Sequence, residues 1–128
     1  METYRRETTA TAAVIALGIS LTSCCAVNTA CTLIGCDDGL VVEVEGNLPP
    51  GVSVEAVAGD GERRVKECAQ GTFCVVVFEG FHPNEVTVSA TTGERAVTVT
   101  VEPEYAELRP NGRCCPPTCR TATVSIVL

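Results

Sequence analysis

The sequence has few of the side chains that enzymes and nucleic-acid-binding proteins commonly use. Its 128 residues include no Trp, one His, two Tyr and three Phe. So few rings leave little surface for stacking on bases, and a single His leaves little for general acid–base catalysis. Basic residues are outnumbered 9 to 16, and the resulting net charge of −7 opposes binding to a phosphate backbone. The composition therefore predicts no nucleic-acid partner.

The sequence also lacks an apolar run long enough to cross a membrane as a helix, which takes about 20 residues. Arg5 and Arg6 precede 16 uncharged residues, 8–23, whose apolar part is concentrated in residues 12–19. A basic start, a short apolar stretch and small residues before a break are typical of a secretory signal peptide. We therefore expect residues 1–23 to be cleaved and the remainder exported; a buried N-terminal helix is the alternative.

The end of this stretch resembles a lipobox. Leu21-Thr22-Ser23-Cys24 has the branched apolar residue, two small residues and Cys of bacterial lipoproteins. The resemblance implies cleavage before Cys24 and a diacylglyceryl group on its sulfur, anchoring the protein to a membrane. If Cys25 were modified instead, Cys24 would occupy a position where the family has Gly, Ala or Ser. Because Cys25 is not Asp, the resemblance also implies the outer membrane if the host is Gram-negative.

Nine Cys in a chain of this length are typical of an oxidising compartment. Subtracting Cys24 leaves eight, an even number that can form four disulfides in 105 ways. A zinc site is the alternative, because Cys31 and Cys36 are separated by four residues and Cys115 and Cys119 by three. Export favours disulfides, and we predict neither a metal nor a cofactor.

The rest of the chain has the period-two alternation of half-buried strands, with turn residues between segments. The seven predicted strands are residues 40–45, 52–58, 62–68, 72–79, 86–90, 97–101 and 122–128. The charged 62–68 segment suits a sheet edge, whereas 72–79 is apolar on both faces and suits a central strand. Residues 102–119 are predicted to form a loop. The pattern predicts an all-β, seven-stranded, antiparallel-dominated β-sandwich stapled by disulfides.

This layout over residues 37–128 is similar to immunoglobulin-like and transthyretin-like (carboxypeptidase regulatory-like) domains, with residues 24–36 forming a short tether. Without Trp, the Cys…Trp…Cys core of antibody domains is absent. Sandwiches of this kind often place the first and last strands side by side and parallel, which would bring together Cys36 and Cys119, each just before one of those strands.

A second pair, Cys68 with Cys74, is expected across the hairpin between strands 62–68 and 72–79. The pairs proposed for the remaining cysteines are Cys31–Cys115 and Cys25–Cys114, with a vicinal Cys114–Cys115 bond as the alternative. Because Cys36–Cys119 closes the longer loop, its removal is expected to destabilise the protein more than removal of Cys68–Cys74.

The most unusual segment is a Pro-rich loop beside three cysteines. Its candidate interaction residues are Pro110, Asn111, Gly112 and Arg113, which suit either a rigid recognition surface or plain structural stapling. His82 is interpreted as a turn residue whose replacement changes neither stability nor activity. The acidic residues Asp37, Asp38, Glu102, Glu104 and Glu107 match no calcium-loop spacing.

These observations predict a lipid-anchored, non-catalytic protein of the cell envelope with a structural or protein-interaction role. Its expected partners are the membrane, through the anchor, and an envelope protein. A small extracytoplasmic ligand- or cation-binding lipoprotein is the alternative, and a thiol-redox or hydrolytic enzyme is the least favoured.

Overall fold

A computed structural model describes Cys25 and residues 30–128. The signal peptide, the lipobox and Cys24 lie outside these described residues. The described chain is all-β and contains no helix. Its eight strands are β1 (Gly39–Leu48), β2 (Val52–Ala58), β3 (Arg63–Cys68), β4 (Gly71–Glu79), β5 (Val86–Thr91), β6 (Ala96–Val101), β7 (Ala106–Leu108) and β8 (Cys119–Val127).

The strands form two four-stranded sheets, in the orders β4-β1-β8-β7 and β3-β2-β5-β6. The first strand, β1, and the last, β8, lie side by side and parallel, in a register that begins with Gly39 opposite Thr121. The other strand pairs are antiparallel. The predicted all-β, two-sheet architecture and the parallel pairing of the first and last strands are confirmed.

The core lies between the sheets and is built from alternating strand residues. In β1 the side chains of Leu40, Val42 and Val44 are fully buried, and β2 contributes Val52 and Val54 in the same way. Because strand side chains alternate between faces, one residue in two reaches the core. Burying one Val or Leu side chain contributes roughly 1.5–3 kcal/mol, so this alternation supplies much of the fold's stability.

The structure adds one strand to the seven predicted. Residues 106–108, predicted to be loop, form β7 and pair with β8, with Ala106 opposite Thr121 and Leu108 opposite Cys119. All three residues of β7 are exposed. The strand is therefore held by backbone hydrogen bonds to β8. Because it buries no side chain, its sequence has no alternation of apolar and polar residues that would predict a strand.

The prediction for residues 72–79 was wrong, because β4 is an edge strand. Only its inward-facing residues are buried, whereas Phe73 and Val75, which point outward, are 50% and 49% exposed. A strand that is apolar on both faces can lie in the middle of a sheet with both faces buried, or at an edge with one apolar face exposed to solvent. The sequence pattern is the same in both cases. The charged strand β3 is an edge strand, as predicted.

The connection between β3 and β4 also differs from the expected hairpin. The two strands belong to different sheets, β3 pairing with β2 and β4 with β1. Cys68 and Cys74 are both buried and bonded to each other. Their disulfide therefore links the two sheets across the core. In the expected hairpin it would have joined neighbouring strands of one sheet.

Candidate functional site

The structure contains four disulfides, and they are the four pairs proposed from the sequence. They are Cys25–Cys114, Cys31–Cys115, Cys36–Cys119 and Cys68–Cys74. Cys114 and Cys115 each bond to a different partner, so the vicinal alternative is absent. With these eight sulfurs in disulfides, none of them is available as a thiolate ligand for zinc.

Three of the four disulfides form a ladder at one end of the sandwich, joining the tether before β1 to the loop before β8. Moving along the tether, Cys25 and Cys31 bond to Cys114 and Cys115 of the loop, and Cys36 bonds to Cys119, the first residue of β8. Both segments therefore run in the same direction, which continues the parallel pairing of β1 with β8. The result is a covalently closed surface at this end of the molecule.

Asn111 holds the tether against the loop between these bonds. Its side-chain oxygen accepts hydrogen bonds from the Thr32 hydroxyl (2.6 Å) and the Ile34 backbone N–H (2.9 Å). Its amide nitrogen donates to the carbonyls of Ile34 and Pro116, both at 2.7 Å. The amide thus has all four of its hydrogen-bonding positions occupied within the protein.

The candidate interaction residues do not form one exposed face. Pro110 and Asn111 are half-buried, whereas Gly112 and Arg113 are exposed. Gly112 has a φ of +91°, a conformation that favours glycine, in a turn where its N–H donates to the Arg109 carbonyl at 3.0 Å. Because Asn111 serves the internal clamp, only Gly112 and Arg113 of this set are free to meet a partner.

A second cluster, which the sequence analysis did not assemble, surrounds His82. The Nε2 atom of His82 lies 3.1 Å from both Asp38 Oδ1 and the Arg120 carbonyl. Because both neighbours are acceptors, Nε2 carries the proton and donates. The ring also packs edge-on against Tyr105, with ring centroids 5.4 Å apart. His82 thus contacts three separate segments, which argues against the expectation that its replacement leaves stability unchanged.

Two more contacts close this cluster. The Tyr105 hydroxyl donates to the Pro83 carbonyl at 2.9 Å, and the Arg120 guanidinium lies 5.4 Å from the Tyr105 ring centroid. The Arg120 backbone N–H donates to Asp38 Oδ1 at 2.8 Å. The four side chains tie the start of β1, the turn after β4, the segment before β7 and the start of β8 together.

The surroundings shift the pKa of two of these groups. The backbone N–H of Arg120 lowers the pKa of Asp38 below its ordinary value of 3.8, and His82 lowers it further by hydrogen bonding and charge, although burial opposes these effects. Burial raises the pKa of Tyr105, while the charge of Arg120 partly offsets the rise. Asp38 is therefore held as a carboxylate, and Tyr105 as a neutral donor.

The acidic loop residues do not converge. Glu107 pairs with Arg109 at 2.5 Å, and Glu102 and Glu104 are exposed to solvent. In the part of the chain that the structure describes, no group of three or more His, Cys, Asp or Glu side chains could hold a metal ion. A shallow depression does lie beside His82, lined by Asp60 and Glu85 among others.

Sequence reasoning missed Tyr105, Arg120 and the internal role of Asn111. Each lies in or beside the segment 102–119, far along the chain from its partners; Asn111 and Ile34 are separated by 77 residues. Pairing of β1 with β8 brings them together, and no local motif marks that pairing. The parallel layout that placed Cys36 beside Cys119 was the one available signal.

Comparison with known proteins finds no match to this chain. No family model matches it, and neither a curated protein nor a solved structure matches it. Among residues 30–128 and Cys25, no helix is long and apolar enough to cross a membrane.

Proposed function

We propose that the protein is a bacterial lipoprotein with a disulfide-stapled β-sandwich of the immunoglobulin-like or transthyretin-like kind. Lipid on Cys24 holds it to the membrane of the cell envelope, the outer membrane in a Gram-negative host. Its role there is structural or interaction-based and non-catalytic. The main support for the proposal is the way in which the nine cysteines are used.

Of nine cysteines, eight are in disulfides and the ninth is Cys24, the lipobox cysteine. An unpaired cysteine in an exported protein needs a separate explanation. Thioether linkage to a lipid supplies one and uses no disulfide partner. The odd total and the four-disulfide pattern thus both support lipidation at Cys24.

The non-catalytic part of the proposal is supported by the His82 cluster. Its Nε2 donates to Asp38 and to a backbone carbonyl, contacts that hold the ring between chain segments, and every cysteine of the described residues is in a disulfide, so none can pair with His82 as a thiolate nucleophile. His82 and its three partners together connect four chain segments. We assign the cluster a structural role, in place of the poised acid, base or nucleophile that catalysis needs.

The ligand-binding alternative has one feature in its favour, the depression beside His82. It carries the carboxylates of Asp60 and Glu85, and the Gly59 N–H donates to the Glu85 carbonyl at 3.0 Å at its edge. Both carboxylates are exposed. A site with exposed carboxylates of this kind suits weak cation association better than a specific ligand.

The test of lipidation replaces Cys24 with Ala in a bacterial host fed labelled fatty acid. We expect an unprocessed precursor without label, because cleavage in this family follows lipid transfer to the Cys sulfur. Ser23→Ala is the matched control, since it keeps a small residue before the cut and leaves Cys24 in place. It should be processed and labelled normally.

Normal processing and labelling of Cys24→Ala would show that the lipid assignment is wrong. If label moved to Cys25 in that variant, the lipobox would be displaced by one residue. Mass spectrometry of the mature N-terminus separates these results, because Cys25 of the lipidated protein should be found joined to Cys114.

A further inference from the structure

We propose that the tether–loop surface, defined as residues 31–35 and 109–116, lies directly on the lipid bilayer. Its apolar side chains enter the membrane interface and its arginines contact anionic headgroups. The proposal rests on lipidation of Cys24 and adds to it the orientation of the domain. The partner that contacts this surface is thus the lipid membrane, and not an envelope protein.

The covalent attachment of the proposed lipid brings it close to the loop. Cys24, the proposed lipid carrier, is bonded directly to Cys25, and the Cα atoms of adjacent residues are about 3.8 Å apart. The Cα atom of Cys25 is 5.2 Å from that of Cys114, to which it is joined by a disulfide. The lipid is therefore attached within about 9 Å of the loop. No flexible stalk separates them, so the loop must lie at the membrane surface.

This end of the molecule also carries exposed apolar side chains. Leu33 is 98% exposed and Ile34 is 56% exposed, between the polar Thr32 and Gly35. Asn111 fixes the backbone of Ile34 by a hydrogen bond in each direction. The two side chains are therefore held outward on a rigid support, as in interfacial anchors that bury apolar groups at the headgroup boundary.

The charge of the tether–loop surface differs from that of the rest of the chain. Without residues 1–23 the chain has 7 basic and 14 acidic residues, because that segment holds two Arg and two Glu of the 9 and 16. On the tether–loop surface, by contrast, basic residues outnumber acidic ones, because this surface contains Arg109 and Arg113 and no carboxylate. Arg109 pairs with Glu107, but no carboxylate in the described chain lies within ion-pair distance of Arg113. Basic residues near a membrane are attracted by anionic lipids.

The absence of Trp from the chain gives a clean test. Leu33→Trp places a single fluorophore on the tether–loop surface, where the exposed Leu33 side chain supports no packing. Val65→Trp is the matched control, because Val65 is 48% exposed on β3 of the other sheet. Both lipidated proteins are reconstituted in vesicles of phosphatidylethanolamine and phosphatidylglycerol, with or without bromine on the upper acyl carbons.

We expect the emission of Trp at position 33 to shift to the blue and to lose about half its intensity with brominated lipid, since interfacial side chains reach the acyl boundary. The control should show neither change. Replacing Arg109 and Arg113 with Gln in the Leu33→Trp protein should reduce the quenching, as should vesicles of phosphatidylcholine alone.

Three outcomes would overturn the proposal. Proteins that float with the vesicles while Leu33→Trp is quenched no more than Val65→Trp would leave lipidation intact and refute membrane contact. Shielding of the fluorophore in native envelopes but not in protein-free vesicles would assign the surface to a protein partner. Proteins that do not float and carry no lipid by mass spectrometry would refute the proposed function, and the orientation with it.

Discussion

Asp38 shows how one side chain connects strands that are far apart in the sequence. Its Oδ1 accepts hydrogen bonds from His82 Nε2 and from the Arg120 backbone N–H, which are 44 and 82 residues away along the chain. In the sequence Asp38 is only the second of two adjacent carboxylates before a glycine. The tertiary structure distinguishes it from Asp37, which is exposed.

These contacts predict a pH dependence that belongs to Asp38. Its pKa is lowered in the folded protein, chiefly by the Arg120 N–H, so the folded state binds fewer protons than the unfolded state near the ordinary carboxyl value of 3.8. The stabilisation is present above that value and is lost as the pH falls through the folded pKa. Chemical unfolding of the exported protein from neutral pH into this acidic range should show the loss, and Asp38→Asn should reduce it.

Asp37→Asn is the matched control, because it removes a neighbouring carboxylate of the same chain segment. It should keep the acid-side loss of the unmodified protein. Equal pH profiles for Asp38→Asn and the unmodified protein would contradict the prediction and indicate that the Arg120 contact does not hold the carboxylate in solution.

At the scale of elements, the disulfide ladder changes what each bond contributes. Considered alone, Cys36–Cys119 spans 83 residues and Cys68–Cys74 only 6. The chain-entropy model then assigns about 4.6 and about 2.4 kcal/mol, as the sequence-based expectation assumed. With Cys31–Cys115 intact, however, the additional loop closed by Cys36–Cys119 has only about ten residues and contributes about 2.7 kcal/mol.

We therefore predict that replacing Cys36 and Cys119 with Ala lowers the free energy of unfolding about as much as replacing Cys68 and Cys74. Replacing all six ladder cysteines should cost at least about 4.6 kcal/mol, because only then is the long loop open in the unfolded chain. Urea unfolding of the three variants measures these differences.

A loss for the Cys36/Cys119 variant that exceeds the loss for the Cys68/Cys74 variant by about 2 kcal/mol or more would favour independent bonds over the ladder. Peptide mapping of the oxidised protein should be done first. Detection of Cys36 joined to Cys68 or Cys74 would refute the connectivity itself.

At the scale of the whole molecule, the open edge of β4 needs protection from pairing with a second copy. This strand carries the exposed Phe73 and Val75 and has a partner strand on one side only. Lys66, on the edge strand of the other sheet, donates from Nζ to the Val77 carbonyl at 2.5 Å. A charged side chain on an edge backbone group is a common protection against strand addition.

We predict that Lys66→Thr promotes self-association, because it uncovers the Val77 carbonyl and removes a charge beside an apolar strand. Sedimentation velocity of the protein in detergent should show a larger dimer fraction at equal concentration. Lys66→Arg is the control and should behave like the unmodified protein, since the guanidinium also donates. If Lys66→Thr sediments as the unmodified protein does, the edge is protected by other means.

The class of fold and the presence of disulfides could be predicted from the sequence alone. Alternation such as Leu40, Val42 and Val44 predicts a strand because period-two burial is a local property of the chain. The turn residues that divide these segments are local as well. The pair Cys36–Cys119 followed from one topological expectation, the parallel first and last strands. The pair Cys68–Cys74 was expected from a hairpin that the structure does not contain, and the other two pairs were assigned from the cysteines that remained.

The edge position of β4, the existence of β7 and the side chains that meet became known only from the folded chain. β4 is apolar on both faces and yet has one open face, and β7 forms without any hydrophobic signal, because both depend on hydrogen-bonded neighbours distant in the chain. The same holds for Asn111 with Ile34 and for His82 with Asp38. Local pattern indicates which residues share a face of a strand, whereas the covering of that face and the contacts between segments follow from strand order, which local pattern does not encode.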